Sequence, residues 1–182
     1  MGNATTGTSR DISSRLNQAA RRIRVFENED QWSRAFVDAT EGFCACAALF
    51  IVNGRTLRLQ SSRGISHTSK LDNVPLETAP AFAEAIESRD TIVAVRTRGE
   101  LSSAIADLVG ESPQDRFYLF PICGRDRVLA ILYAASEVDP NALELLATLA
   151  SAVLETQAAT PDRSQLVSLS PSPATVDYPG RP

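Results

Sequence analysis

Three cysteines and one histidine are the residues of this chain best suited to nucleophilic, redox or metal chemistry. Cys44 and Cys46 are two positions apart, so a β-strand would place both thiols on one face. A closed zinc site needs about four ligands, and only Cys123 and His67 remain to complete one. We therefore favour buried cysteines that fill space over a metal or redox centre. His67 has no positioned partner in the sequence, which favours a solvated loop residue over a catalytic acid or base.

Loop arginines form a second set of candidates. Arg63, Arg96 and Arg98 fall in predicted loops, where a guanidinium can hold a carboxylate or phosphate through two hydrogen bonds. The alternative is that they are ordinary surface arginines, which the composition favours because the chain uses Arg almost to the exclusion of Lys. The first interpretation predicts a small anionic ligand, and the second predicts none.

Composition and charge narrow the class of protein. The 182 residues, 43% of them hydrophobic, suffice for one domain with a sizeable core. A formal net charge of −4 gives no bulk attraction to nucleic acid. The longest apolar run, residues 44–52, is too short to span a membrane, and there is no secretory leader. An odd number of cysteines does not make a disulfide framework, so we expect a cytoplasmic protein.

A central β-hairpin organises the predicted elements. Residues 117–123 and 128–135 are apolar, β-branched and aromatic runs, and a short polar insert that begins with Gly124 separates them. Both runs are almost continuously apolar, which is typical of strands covered on both faces. Further strands are predicted at 44–52, 56–60 and 91–95, and helices at 79–88, 101–109 and 141–155, with one more helix around Trp32 and Phe36. The core is predicted to include Phe50, Leu119, Ile131 and Leu146.

The two ends of the chain differ from the middle. We predict a disordered tail at 1–9, an amphipathic helix at 10–26, a folded domain at 27–156 and a disordered Pro/Ser/Thr-rich tail at 157–182. The first helix carries apolar residues at heptad spacing, from Ile12 through Leu16 and Ala19 to Ile23. Five arginines and one aspartate give the first 24 residues a formal charge of +4. This stripe predicts either homodimerisation through the terminal helices or packing of the helix on its own domain.

The resulting order of elements resembles the GAF family of sensory domains. The likeness rests on residues 45–52 (ACAALFIV), 74–76 (VPL), 120–132 (FPICGRDRVLAIL) and 142–150 (ALELLATLA), and it covers roughly residues 31–155. The resemblance implies an α+β sandwich in which helices flank a central antiparallel sheet and the terminal helices pack together. The chain lacks the signature of the cyclic-nucleotide-binding members and the cysteine–histidine attachment sequence of bilin photoreceptors.

The resemblance also implies a function and a place for the ligand. It indicates a non-enzymatic regulatory module that binds a small molecule, or only dimerises, and signals through its terminal helices or a partner protein. A ligand would lie on the sheet beneath a polar loop at 61–73, near Arg63, Phe82, Arg96 and Tyr118, and would carry an anionic group. The alternative is a thiol enzyme resembling the GAF-type free methionine sulfoxide reductases. Residues 90–115 contain no cysteine, and Cys44 and Cys46 fall on a predicted core strand, which disfavours that alternative.

Overall fold

A computed structural model describes residues 4–65 and 71–158, with side chains described for residues 12–65 and 71–157. One six-stranded sheet runs through the centre, and its strands follow the order β3-β2-β1-β6-β5-β4. Every pair of neighbouring strands is antiparallel. The strands are β1 (Cys46–Asn53), β2 (Thr56–Arg63), β3 (Val74–Pro75), β4 (Ile92–Arg96), β5 (Ser112–Cys123) and β6 (Val128–Ala135). The α+β class predicted from the sequence is confirmed.

Helices cover both faces of the sheet. They are α1 (Ala4–Arg22), α2 (Glu29–Ala39), α3 (Pro80–Ser88), α4 (Arg98–Leu101), α5 (Ser103–Val109) and α6 (Pro140–Ala158), with a 3₁₀ turn at Leu76–Thr78. Their starting points follow from the sequence. The Asn28 side chain accepts a hydrogen bond from the Gln31 N–H and caps α2. Asp139 accepts one from the Ala142 N–H, and Pro140 occupies the first turn of α6.

Strand alternation divides the apolar residues into two cores. The face that we call the bundle face carries α1, α2 and α6, and its core includes Phe36, Leu49, Phe120, Leu132 and Leu146. The opposite face, which we call the α3 face, carries α3, α4 and α5, and its core includes Phe50, Phe82, Leu119, Ile131 and Tyr133. Helices cover β1, β5 and β6 on both sides, which explains why the sequences of these strands are almost continuously apolar.

The central hairpin and the predicted core are confirmed. β5 pairs with β6 from Phe117↔Ala135 to Cys123↔Val128, with a shift of register between Ile122 and Cys123. The four residues predicted to be buried, Phe50, Leu119, Ile131 and Leu146, each have no measurable exposed surface. The apolar runs were thus sufficient to predict the middle of the sheet.

Several predicted boundaries differ from the structure. α1 already begins at Ala4 and ends at Arg22, so residues 4–9, predicted as a tail, are helical. β2 continues to Arg63, which shortens the predicted loop at 61–73. The predicted helix at 101–109 is broken at Ser102, whose φ of 77° is incompatible with a continuous helix. His67 and Lys70, and most of the predicted tail at 157–182, lie outside the described residues.

The heptad stripe of α1 packs on its own chain. Ala19 and Ile23 are buried, and Ile12 and Leu16 pack against the core of the bundle face. α1 contacts both α2 and α6, so the terminal helices pack together as predicted. Intramolecular packing therefore satisfies the apolar stripe from which a dimer was predicted.

Candidate functional site

The structure distributes the four predicted ligand-binding residues over both faces of the sheet. Phe82 is buried in the core of the α3 face, and the Arg96 side chain lies beside Tyr133, a residue of that same core. Tyr118 packs against the core of the bundle face. Arg63 pairs with Ala47, a bundle-face residue, and its guanidinium contacts the segment that follows α2. Phe82 and Arg96 therefore share one face of the sheet, and Arg63 and Tyr118 lie on the other.

Arg63 is engaged in contacts within the chain. Its Nη2 atom donates to Cys44 O at 2.8 Å and to Thr40 Oγ1 at 3.1 Å, and Nη1 lies 3.3 Å from Ala45 O. These bonds tie the end of β2 to the segment that links α2 to β1. These contacts give Arg63 a structural role, although its Nε–H, like that of Arg96, is buried without an acceptor among the described residues.

The cysteines do not form a shared thiol site. Cys44 precedes β1 and is buried in the core of the bundle face, whereas Cys46 packs against the core of the α3 face, so the two predicted neighbours belong to different cores. Burial raises the pKa of the Cys44 thiol, and burial also raises the pKa of Cys123. The Cys46 Sγ atom lies 3.0 Å from Gly64 O, which accepts its hydrogen bond. Within the described ranges no group of three or more His, Cys, Asp or Glu residues converges as metal ligands would.

Arg96 ends β4 at an irregular position of the sheet. Its pairing with Ser112 follows a register shift after Val95, and such bulges redirect side chains. The Arg96 side chain is only 14% exposed, and its Nη2 atom donates to Asp115 Oδ2 at 2.9 Å. Its Nε–H is buried and has no acceptor among the residues that the structure describes. A buried guanidinium that retains one unpaired donor is a candidate anion-binding group.

Tyr133 lies beside Arg96 on the α3 face. Its ring stacks on Phe117 at a centroid distance of 5.4 Å, and its hydroxyl is buried without a hydrogen-bond partner among the described residues. Burial raises the pKa of the Tyr133 phenol to about 12, although the nearby Arg96 charge acts in the opposite direction. A contact from the Arg96 side chain to the Tyr133 hydroxyl also favours the phenolate, so the two groups face each other.

Arg96 and Tyr133 define what we call the Arg96–Tyr133 site. Ile65 and Leu71, which flank the undescribed residues 66–70, both pack on the core of the same face. Phe50 and Phe82 meet edge to face at 5.1 Å and add apolar surface to that core. Two buried donors beside an apolar floor can bind an anionic or carbonyl-bearing small molecule.

Sequence reasoning identified Arg96 but missed Tyr133 and Asp115. Tyr133 lies in a strand that is otherwise apolar. Its hydroxyl at a buried position of such a strand could have marked it as a candidate binding residue. Asp115 precedes the apolar part of β5, and its pairing with Arg96 depends on the bulge, which the sequence does not reveal.

Comparison with known proteins identifies the fold. No family model matches the sequence, and no curated protein matches it. Among solved structures, the nlh2 GAF domain of A. aeolicus in an inactive state is 11% identical, with a TM-score of 0.63 over 80% of this chain and 96% of that one. The GAF domain of an Acinetobacter phosphoenolpyruvate-protein phosphotransferase is 13% identical, with a TM-score of 0.60 over 90% and 99%.

An enzyme shares the same architecture. Free methionine-R-sulfoxide reductase of Neisseria meningitidis, in complex with its substrate, is 16% identical, with a TM-score of 0.60 over 81% of this chain and 91% of the enzyme. The fold of the present chain is therefore the GAF fold, which is found in its solved neighbours both in domains of larger proteins and in a reductase. No helix in the described part of the chain is long and apolar enough to cross a membrane.

Proposed function

We propose that this chain is a non-enzymatic sensory module that binds a small anionic molecule at the Arg96–Tyr133 site. The observation that carries the proposal is the pair of buried polar groups Arg96 Nε–H and Tyr133 O–H, which face each other and have no hydrogen-bond partner elsewhere among the described residues. Leaving a buried donor unpaired costs about 1–3 kcal/mol, so such groups usually meet water or a ligand. A GAF sensor protein of Burkholderia vietnamiensis among the structural neighbours supports a sensory role. A cytoplasmic location stays a prediction from the sequence.

The chemistry of the site favours a ligand with an apolar body and a carboxylate. The guanidinium and the phenol both donate hydrogen bonds, and the phenol is protonated at neutral pH because even an ordinary tyrosine has a pKa of about 10. Ile65 and Leu71, which are only partly buried against the same core, provide apolar surface for such a ligand. Phe82 belongs to the same core and remains part of the proposed site, whereas Arg63 and Tyr118 lie on the bundle face.

Benzoate is a simple probe of this proposal, and calorimetric titration measures its binding to the whole chain. Arg96→Gln removes the guanidinium and should weaken benzoate binding by about tenfold or more, since a hydrogen bond to a charged group contributes roughly 1.5–3 kcal/mol. Arg98→Gln is the matched control, because Arg98 is exposed and pairs with Asp107 and Glu111. Equal affinities of both variants would exclude Arg96 as the anion-binding group.

We also propose that the signal leaves through the terminal helices, either in a homodimer or toward a partner protein. A surface groove of about 370 Å³ runs between α1 and α6, and its walls include Ala20, Leu149, Ala152 and Val153. The small and apolar side chains of this groove allow another helix to approach closely. Light scattering tests the dimer with Ala152→Glu, which places a charge in the groove, and with Ala104→Glu, at an exposed position of α5, as a control. A dimer that Ala152→Glu leaves intact does not use this groove.

Thiol-dependent methionine sulfoxide reduction is the alternative function, and its support is the fold shared with the reductases. The raised pKa values of Cys44 and Cys123 argue against it, because a catalytic cysteine reacts as its thiolate. An assay with free methionine sulfoxide and a thiol reductant separates the two functions. The sensory module should show no turnover, and turnover that Cys46→Ser abolishes would establish the enzyme.

A further inference from the structure

A second cleft opens on the bundle face, on the side of the sheet opposite to the Arg96–Tyr133 site. The end of β1, the start of β6, the end of α6 and the segment between α1 and α2 form its walls, and its volume is about 480 Å³. Volumes of this order are typical of small-molecule sites. The apolar lining consists chiefly of Phe26, Trp32, Ile51, Leu129 and Leu154.

Trp32 gives this cleft an unsatisfied hydrogen-bond donor. Its side chain is only 2% exposed and stacks on Phe36 at 5.3 Å, with Phe26 at 6.2 Å. The indole Nε1–H is buried and has no acceptor in the described part of the chain. Buried donors are almost always paired, so a tryptophan that lines a cleft and lacks an acceptor points to an external oxygen atom.

The charged groups lie around the apolar lining and favour a neutral occupant. Glu27, Glu29 and Arg127 all contribute to the walls, so both signs of charge are present. Glu29 already pairs with Arg58 at 3.3 Å, which leaves its charge partly compensated. A carboxylate ligand would face two glutamates, and an ammonium ligand would face Arg127.

We propose that this cleft binds a neutral, mainly apolar small molecule whose carbonyl oxygen accepts the Trp32 Nε1–H hydrogen bond. Since Nε1 itself has almost no exposed surface, side chains of the cleft wall must shift slightly for the oxygen to reach it. The occupant contacts the α1–α2 segment and the last turns of α6 together. The site is independent of the proposed anion site, because the two lie on opposite faces of the sheet.

The single tryptophan of the chain makes the proposal directly measurable. Its indole N–H gives one signal in a ¹H–¹⁵N spectrum of the intact labelled protein. Acetophenone, which carries a carbonyl, should move that signal downfield in a saturable manner. Ethylbenzene has nearly the same shape and lacks the oxygen, so it should bind about fivefold more weakly, the effect of one net hydrogen bond. A stationary indole signal, or equal binding of both probes, would overturn the proposal.

Two variants separate the cleft from nonspecific binding. Trp32→Phe keeps an aromatic wall and removes the donor, so acetophenone and ethylbenzene should bind this variant with equal affinity. The shifts of the backbone amide signals around the cleft measure both affinities. Leu154→Arg places a charge in the lining and should abolish acetophenone binding, whereas Leu145→Arg, at an exposed position of the same helix, should not. If Trp32→Phe retains the preference for acetophenone, or if Leu154→Arg binds it like the wild type, the proposal fails.

Discussion

Arg96 Nη2 donates a hydrogen bond to Asp115 Oδ2 across 2.9 Å, and this contact bridges the irregular end of the β4–β5 pair. Ser112 Oγ donates to the same carboxylate oxygen at 2.6 Å. Asp115 is more than half exposed, whereas Arg96 is almost buried, so the carboxylate approaches the guanidinium from the solvent side. An anionic ligand would therefore meet an arginine whose charge is already partly neutralised.

Removing that carboxylate should strengthen anion binding. We expect Asp115→Asn to raise benzoate affinity by about three- to tenfold, because it deletes a negative charge next to the guanidinium. The free energy of unfolding should change by less than about 1 kcal/mol, because the Asp115 side chain of the Arg96–Asp115 pair is largely exposed. Asp107→Asn, which affects only the exposed pair with Arg98, is the matched control in the same titration. Weaker binding to Asp115→Asn would show that the carboxylate positions Arg96 for the ligand.

The Tyr133 hydroxyl should make stability fall at alkaline pH. The folded protein keeps this proton up to about pH 12, whereas an unfolded tyrosine releases it near pH 10. Above pH 10 the unfolded state therefore binds fewer protons than the folded state, and its deprotonation favours unfolding. Relative to Tyr133→Phe, the wild type should lose roughly 1.4 kcal/mol of unfolding free energy between pH 8 and pH 11.

Urea titrations of both proteins across that pH range measure this difference. Because the comparison is made against Tyr133→Phe, the other tyrosines contribute equally to the two curves. Parallel stability profiles for wild type and variant would mean that the Tyr133 phenol ionises as readily in the folded protein as in water.

Ile131 reports on the central hairpin. It is fully buried on the α3 face and pairs with Phe50 on one side and Pro121 on the other. Ile131→Ala should cost about 2–5 kcal/mol, through lost apolar burial and the cavity that remains. Denaturant unfolding measures the change, and a loss below about 0.5 kcal/mol would contradict the position of this residue in the core.

Gly64 is required by a close approach of two backbone segments. Its φ is +69°, and a Cβ atom there would lie 2.2 Å from Ala45 O. Gly54 is the control, since its φ is +60° and a Cβ atom there would meet no atom within 4 Å. We expect Gly54→Ala to cost about 1–2 kcal/mol from backbone strain alone, and Gly64→Ala to cost roughly 3 kcal/mol or more. Equal losses of unfolding free energy in the two variants would contradict this prediction, because they would show that the backbone at Ala45 moves away from the added Cβ atom at no cost.

The sequence predicted the features that depend on local patterns. The apolar runs of β5 and β6, the Asn28 cap of α2 and the Pro140 start of α6 each follow from residues close together in the chain. The sequence could not predict that Arg63 bonds to the segment after α2, because β2 continues through a bulge into the expected loop. The pairing of Arg96 with Asp115 likewise depends on a register shift between strands. Long-range placement of side chains, rather than secondary structure, limited the prediction of the site.

The N–H signal of Arg96 Nε tests the central claim most directly. This atom is buried and has no acceptor among the described residues, so a bound carboxylate should change its chemical environment more than that of any exposed arginine. Its signal in a ¹H–¹⁵N spectrum can be assigned by its loss in Arg96→Gln. On titration with benzoate, we predict a saturable downfield shift of that signal and none at Arg98. A stationary Arg96 signal at benzoate concentrations that shift other resonances would contradict the proposed site.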